Sequence, residues 1–130
     1  MKRPTPTAGM HHLALTVKDL QAVEEFYVNL IGMTVEWRPD SDNVYLTSGS
    51  DNLALHRGDN DFQPDGHQSL DHLGFILRDI NEVDEWYTYL SNAGVKMITP
   101  AKTHRDGARS FYCKDPAGHT VQIIYHPPLA

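Results

Sequence analysis

The sequence predicts a single α+β domain made of two tandem βαβββ modules, forming a curved mixed sheet around a cleft with the helices outside. Three observations predict it. The chain repeats internally without a gap, apolar spacing switches within each copy from every second residue to helical spacing, and turn residues cut the rest of each copy into three short strand-like stretches.

With His12 set against His72, HLALTVKDLQAVEEFYVNL lies over HLGFILRDINEVDEWYTYL, identical at His, Leu, Asp, Val, Glu, Tyr and Leu. Leu13, Leu15 and Val17 alternate as a half-buried strand does, and so do Leu73, Phe75 and Leu77. A helix follows in each copy, because Val23, Phe26, Tyr27 and Leu30 obey the i, i+3, i+4, i+7 rule, as do Val83, Trp86, Tyr87 and Leu90. Asp19 and Asp79 stand where the helices begin, placed to accept from unpaired backbone N–H groups, and Glu82 completes a capping-box-like pattern with Asp79. Gly32 and Gly94 fall at the helix ends, where a left-handed residue is wanted.

Strand-like stretches follow at roughly 33–38, 43–49 and 52–57 in the first copy and at about 95–98, 108–114 and 119–126 in the second, separated by turns such as SGSDN and KDPAGH. The domain therefore spans 1–130, with module one at about 10–57, a polar Gly, Asp and Pro-rich linker at about 58–69, and module two at about 70–126. The first nine residues read as a loose arm.

Composition narrows the function. A formal net charge of −6 with scattered basic residues argues against a nucleic-acid partner, which needs a clustered basic surface. No apolar run is long enough to span a membrane, and MKRPTPTAG lacks the apolar stretch of a signal peptide, so a cytoplasmic location is expected. The single Cys113 excludes an internal disulfide framework and suits a reducing compartment. A small molecule is the expected partner, and the 8 histidines hint at metal chemistry.

Strand parity says which of these histidines face the cleft. If Leu13, Leu15 and Val17 lie under the helix, His12, Ala14 and Thr16 point away from it, and His72, Gly74 and Ile76 do the same in the second copy. In the last strand Thr120, Gln122 and Ile124 take that face, and in the strand ending the first copy Asn52, Ala54 and His56 take it. A curved sheet then gathers His12, His72 and Gln122, with Ser110 and Tyr112 on the wall. Two imidazoles and one amide oxygen make a facial site with open positions for divalent iron, manganese, zinc or nickel. The bland reading is that each His tops a strand and hydrogen-bonds locally. His67 and His104 fall in polar loops and are expected to be solvated, and His119 is expected to shape its turn.

The stretches HLALTVKDLQAVEEFYVNLIGM, DHLGFILRDINEVDEWYTYLSNAGV and SFYCKDPAGHTVQI together resemble the vicinal oxygen chelate superfamily, over nearly the whole chain from Met10 to Tyr125. That group includes glyoxalases, extradiol dioxygenases, fosfomycin-inactivating thiol transferases and bleomycin-binding proteins, and one scaffold hosts many chemistries. The resemblance implies metal ligands at His12, His72 and Gln122, where Gln122 replaces the usual Glu. A neutral carbonyl can still coordinate, but it gives up the charge that strengthens binding and cannot serve as a carboxylate base. The second glyoxalase ligand falls on Ala54, which has no donor atom. Ser110 and Tyr112 match the phosphonate contacts of the thiol transferases.

These readings lead to two expectations. One is a divalent-metal-dependent enzyme of dioxygenase, lyase/isomerase or thiol-transferase type acting on a small oxygenated substrate. Its metal is held by His12, His72 and Gln122, its substrate is contacted by Thr16, Ser110 and Tyr112, and His56 or Tyr112 positions substrate or moves a proton. The other is a metal-free binding or drug-sequestering protein of the bleomycin-resistance type, which traps a ligand in an apolar cleft. Family resemblance also implies a homodimer.

Overall fold

A computed structural model describes residues 2–63 and 69–129. Module one runs β1 (His12–Val17), α1 (Leu20–Glu25), a π-helical segment (Phe26–Leu30), β2 (Thr34–Asp40), β3 (Asn43–Thr47) and β4 (Asn52–Arg57). Module two runs β5 (Leu73–Leu77), α2 (Glu82–Asn92), β6 (Lys102–Thr103), β7 (Arg109–Lys114) and β8 (Thr120–Tyr125), and a short 3₁₀ turn (Pro127–Leu129) closes the chain. Each module supplies one four-stranded mixed sheet, in the orders β1-β4-β3-β2 and β5-β8-β7-β6. The first strand of each module pairs in parallel with its last, which only the intervening helical crossover permits, and the remaining pairs are antiparallel.

Strand parity follows the apolar pattern. Leu15 and Val17 are buried under the first helix while His12, Ala14 and Thr16 are exposed, and in β8 Val121 and Ile123 are buried while Thr120 and Gln122 are half-buried. The core joins both modules through Leu15, Val17, Val23, Leu55, Val83, Leu90, Phe111 and Ile123. Gly32 and Gly94 take φ of 96° and 84°, the left-handed geometry that ends a helix without a Cβ penalty. Among the described residues no helix is long and apolar enough to cross a membrane.

Three local details differ from the sequence reading. The first helix is α-helical only to Glu25, and Phe26–Leu30 then widens to π geometry, with Ile31 N–H donating to Phe26 C=O at 3.1 Å. That widening carries Tyr27 fully into the core, where its hydroxyl meets Asp115. The second helix begins at Glu82, so Asp79 does not form the expected capping box. Its side chain instead accepts from Asn81 N–H in the turn ahead of the helix, while Asp19 accepts from Ala22 N–H as expected. The stretch 95–98 contributes only a bridge from Met97 to Cys113, and regular pairing resumes at β6, beyond Pro100, which has no N–H for a ladder.

Candidate functional site

The two modules meet in an open cleft of about 670 Å³. Its walls come from the cleft-facing side of module two, with Gly74, Ile76, Gln122 and Ile124, and from the near ends of β1 and β4, with His12 and Asn52. His12, His72 and Gln122 all line it, whereas Thr16, His56, Ser110 and Tyr112 do not.

Each of the three lining side chains is held by its other polar atom. His12 Nδ1 lies 2.7 Å from Asn52 Oδ1. The orientation of that amide is fixed, because Asn52 Nδ2 donates to Glu36 Oε2 at 2.8 Å and a carboxylate can only accept. The oxygen therefore faces the imidazole, the proton sits on Nδ1, and Nε2 keeps a free lone pair. His72 reaches the same state differently: its Nδ1 lies 2.6 Å from Asp71 Oδ2, and its ring meets the Tyr112 ring edge-on at 5.3 Å between centroids. Gln122 Nε2 donates to Ser110 Oγ at 3.2 Å, which leaves Oε1 free. That oxygen lies over Gly74, where an added Cβ would approach it to 3.7 Å.

His12, His72 and Gln122 thus line one cleft, each with one polar atom occupied and a second left without a partner among the described residues. Metal-bound histidines commonly show this arrangement, donating the remaining N–H to a carboxylate or carbonyl. Among the described residues no three His, Cys, Asp or Glu side chains gather as a metal set, and Gln122 contributes an amide oxygen to the cleft. Neither position 122 nor the buried Ala54 offers a carboxylate base.

Ser110 and Tyr112 sit beside the lining residues on the neighbouring strand. Tyr112 and Gln122 are register partners, as are Ser110 and Ile124, so both reach the cleft through a neighbour. His104 is exposed, as expected, and also borders the cleft, where its Nε2 lies 3.4 Å from Ser110 Oγ. The tight loop that places it, closed by His104 N–H on Ala108 C=O at 2.7 Å, left no periodic signal to read. Thr16 and His56 are register partners at the far end of the module-one face. There His56 Nδ1 lies 2.6 Å from Asn43 Oδ1, and Asn43 Nδ2 donates to Asp40 Oδ1 at 2.9 Å. Asn52 and Asp71, which orient the two cleft imidazoles, were the residues a search for ligands alone passes over.

Other candidates have structural roles. His119 is buried against Asp115, its Nδ1 2.8 Å from Oδ2, and shapes its turn as expected. The thiol of Cys113 is buried and pushed up to about 11, first by desolvation and then by the Asp115 charge, which is unsuited to a nucleophile. His67 lies outside the described residues.

Comparison with known proteins adds a family. The model described as Glyoxalase/Bleomycin resistance protein/Dioxygenase superfamily matches residues 9–123. Among curated proteins, the chain is 27% identical over 123 residues to a 1,2-dihydroxynaphthalene dioxygenase of Sphingobium xenophagum, covering 91% of this chain but only 39% of that protein. It is 29% identical over 116 residues to the glutathione transferase FosA of Serratia marcescens, covering 88% of this chain and 79% of the relative. Among solved structures, a lactoylglutathione lyase from Agrobacterium tumefaciens superposes with a TM-score of 0.76 at 26% identity, covering 93% of this chain and 96% of that one.

Proposed function

The chain belongs to the glyoxalase/bleomycin resistance protein/dioxygenase superfamily, and from that premise we propose that it is a divalent-metal-dependent enzyme acting on a small oxygenated substrate, with His12, His72 and Gln122 as the metal-holding set. The observation that carries this reading is the common state of the two imidazoles. Each gives its Nδ1 proton to an oxygen acceptor and keeps Nε2 free in a cleft that both modules line.

An ion bound there would polarise neighbouring substrate oxygens and stabilise negative charge as it develops. The protein's own contribution is orientation and proton handling. Tyr112, packed against the His72 ring, is suited to hold a substrate oxygen through its hydroxyl, and Ser110 accepts from the Gln122 amide nitrogen, which leaves the carbonyl available. Reactions that require a carboxylate base at position 122 are disfavoured, which ranks hemithioacetal isomerisation below diol cleavage or thiol transfer.

His56 and Thr16 lie on the module-one face, outside the chain's own cleft. A homodimer that sets this face opposite module two of the second chain brings them to Ser110 and Tyr112, with His56 as the proton carrier. On this reading the modules at about 10–57 and 70–126, joined by the linker at 58–69, work as one domain of a cytoplasmic enzyme.

The second reading, a metal-free binder of the bleomycin-resistance type, is favoured by the uncharged Gln122 and by the apolar walls contributed by Leu70, Leu73, Phe75 and Ile124. Elemental analysis of protein purified without a histidine tag separates the two. The metalloenzyme reading expects near-stoichiometric manganese, iron, nickel or zinc, lost in the His12→Ala, His72→Ala double variant and held at least about tenfold more tightly by Gln122→Glu, the equivalent of about 1.4 kcal/mol. A wild type that does not load after incubation with these ions refutes it and leaves the binder.

A further inference from the structure

Module one carries the same three-residue arrangement twice on one face. In the first, His12 Nδ1, Asn52 and Glu36 follow in hydrogen-bonded order, with steps of 2.7 and 2.8 Å. In the second, His56 Nδ1, Asn43 and Asp40 do so, with steps of 2.6 and 2.9 Å. Residues 12 and 52 are partners across the β1–β4 ladder, and 56 and 43 are partners across the β3–β4 ladder, so the two sets stand at opposite ends of the sheet. The four residue steps from 52 to 56 correspond to about 13 Å of strand. Ala54, the residue of β4 that shares their face, lies midway between them.

An asparagine by itself does not dictate a neighbouring histidine's tautomer, because the amide can turn over and offer either a donor or an acceptor. A carboxylate on the far side removes that choice. It accepts only, so the amide nitrogen must face it, the amide oxygen must face the imidazole, and the neutral imidazole must carry its proton on Nδ1. The chemistry of each histidine is thus set two residues away, by a side chain that never touches it.

We propose that Glu36 and Asp40 are positioning residues that act through Asn52 and Asn43 to lock His12 and His56 in the Nδ1–H tautomer. Both Nε2 lone pairs are thereby presented on the same face. At His12 this prepares an electron-pair donor for a cation, which rests on the metal reading above. At His56 it prepares a proton acceptor for the hydroxyl or thiol of a ligand that reaches that end of the face, with or without a metal. The ligand class at His56 is a small molecule carrying a hydroxyl or thiol.

The test reads the tautomers directly, in metal-free protein labelled with nitrogen-15, from long-range proton–nitrogen correlations of the imidazole rings at alkaline pH. In the wild type, His12 and His56 are expected to show a protonated Nδ1 and an unprotonated Nε2. Glu36→Leu is expected to move His12 toward a mixture and leave His56 unchanged. Glu36→Gln can donate as well as accept, so it is expected to loosen the lock and fall between wild type and Glu36→Leu. Asp40→Leu is expected to do to His56 what Glu36→Leu does to His12, with Asp40→Asn intermediate. A wild-type ring protonated on Nε2 overturns the proposal, and so does a Glu36→Leu spectrum identical to wild type at His12. Because the spectra need no metal, a locked tautomer in a protein that takes up no ion rejects the metalloenzyme reading while keeping this one.

Discussion

Replacing Tyr27 by Phe removes a single hydroxyl from the core and reports on how the two modules are joined. Tyr27 is 0% exposed and donates to Asp115 Oδ2 at 2.7 Å across 88 residues of sequence. The same carboxylate accepts from His119 Nδ1 at 2.8 Å on Oδ2, and from Ala117 N–H at 2.9 Å and His119 N–H at 2.8 Å on Oδ1. Phe preserves the ring packing against Phe26 and Phe75, so no cavity of consequence opens and the loss is that of one hydrogen bond to a buried charge. Such bonds contribute about 1.5–3 kcal/mol. At about 4 °C per kcal/mol for a chain of this size, the thermal midpoint should fall by roughly 6–12 °C.

Urea unfolding at neutral pH measures the free energy, and repeating it at alkaline pH adds a second check. Burial, then the Asp115 charge and hydrogen bond, holds the Tyr27 hydroxyl protonated well above its ordinary range. The folded pKa is raised, so this contribution is fully present below the unfolded value of about 10. As pH rises beyond that, the unfolded chain releases a proton that the folded chain keeps, and stability falls until the folded group also ionises. Wild type should therefore lose stability above about pH 10 more steeply than Tyr27→Phe. A neutral-pH loss below about 0.5 kcal/mol together with identical alkaline slopes would refute the reasoning.

Two further outcomes follow from single positions. Cys113, buried and with its thiol pushed up to about 11, should react with iodoacetamide at pH 8 at least about tenfold more slowly in the folded protein than in urea, as mass spectrometry can follow; equal rates would mean an exposed thiolate. Gly94→Ala should cost about 1–2 kcal/mol in urea titration, because φ is 84° and a Cβ there meets no atom within 4 Å, leaving backbone strain as the whole effect; a neutral result would mean that the helix end can rearrange.

How much of this was legible in the sequence depended on distance along the chain. Alternation of Leu13, Leu15 and Val17 settles which way His12 points, because a strand offers only two faces. The repeat carries the same inference to His72, and turn chemistry locates Gly32 and Gly94. What escaped was set by contacts between distant segments or by loops without a period. Nothing local to FYVNL announces π geometry, because it serves a partner in the turn before β8. The start of the second helix moved because Asp79 found a nearer backbone donor. His104 reaches the cleft through a loop whose shape only the fold supplies, and the separation of Thr16 and His56 from that cleft depends on how the modules sit together.

The parallel pairing of first and last strands also governs the order in which the protein can assemble. His12 finds its ladder partner 40 residues later, so neither sheet can be completed by local hairpins, and each must wait for its own C-terminal strand before closing. During synthesis module one can close once β4 has emerged, yet the hydroxyl of Tyr27 has no acceptor until Asp115 follows much later. Until then that hydroxyl has only water as a partner. Docking of the second half, rather than closure of the first, is the event that makes folding final.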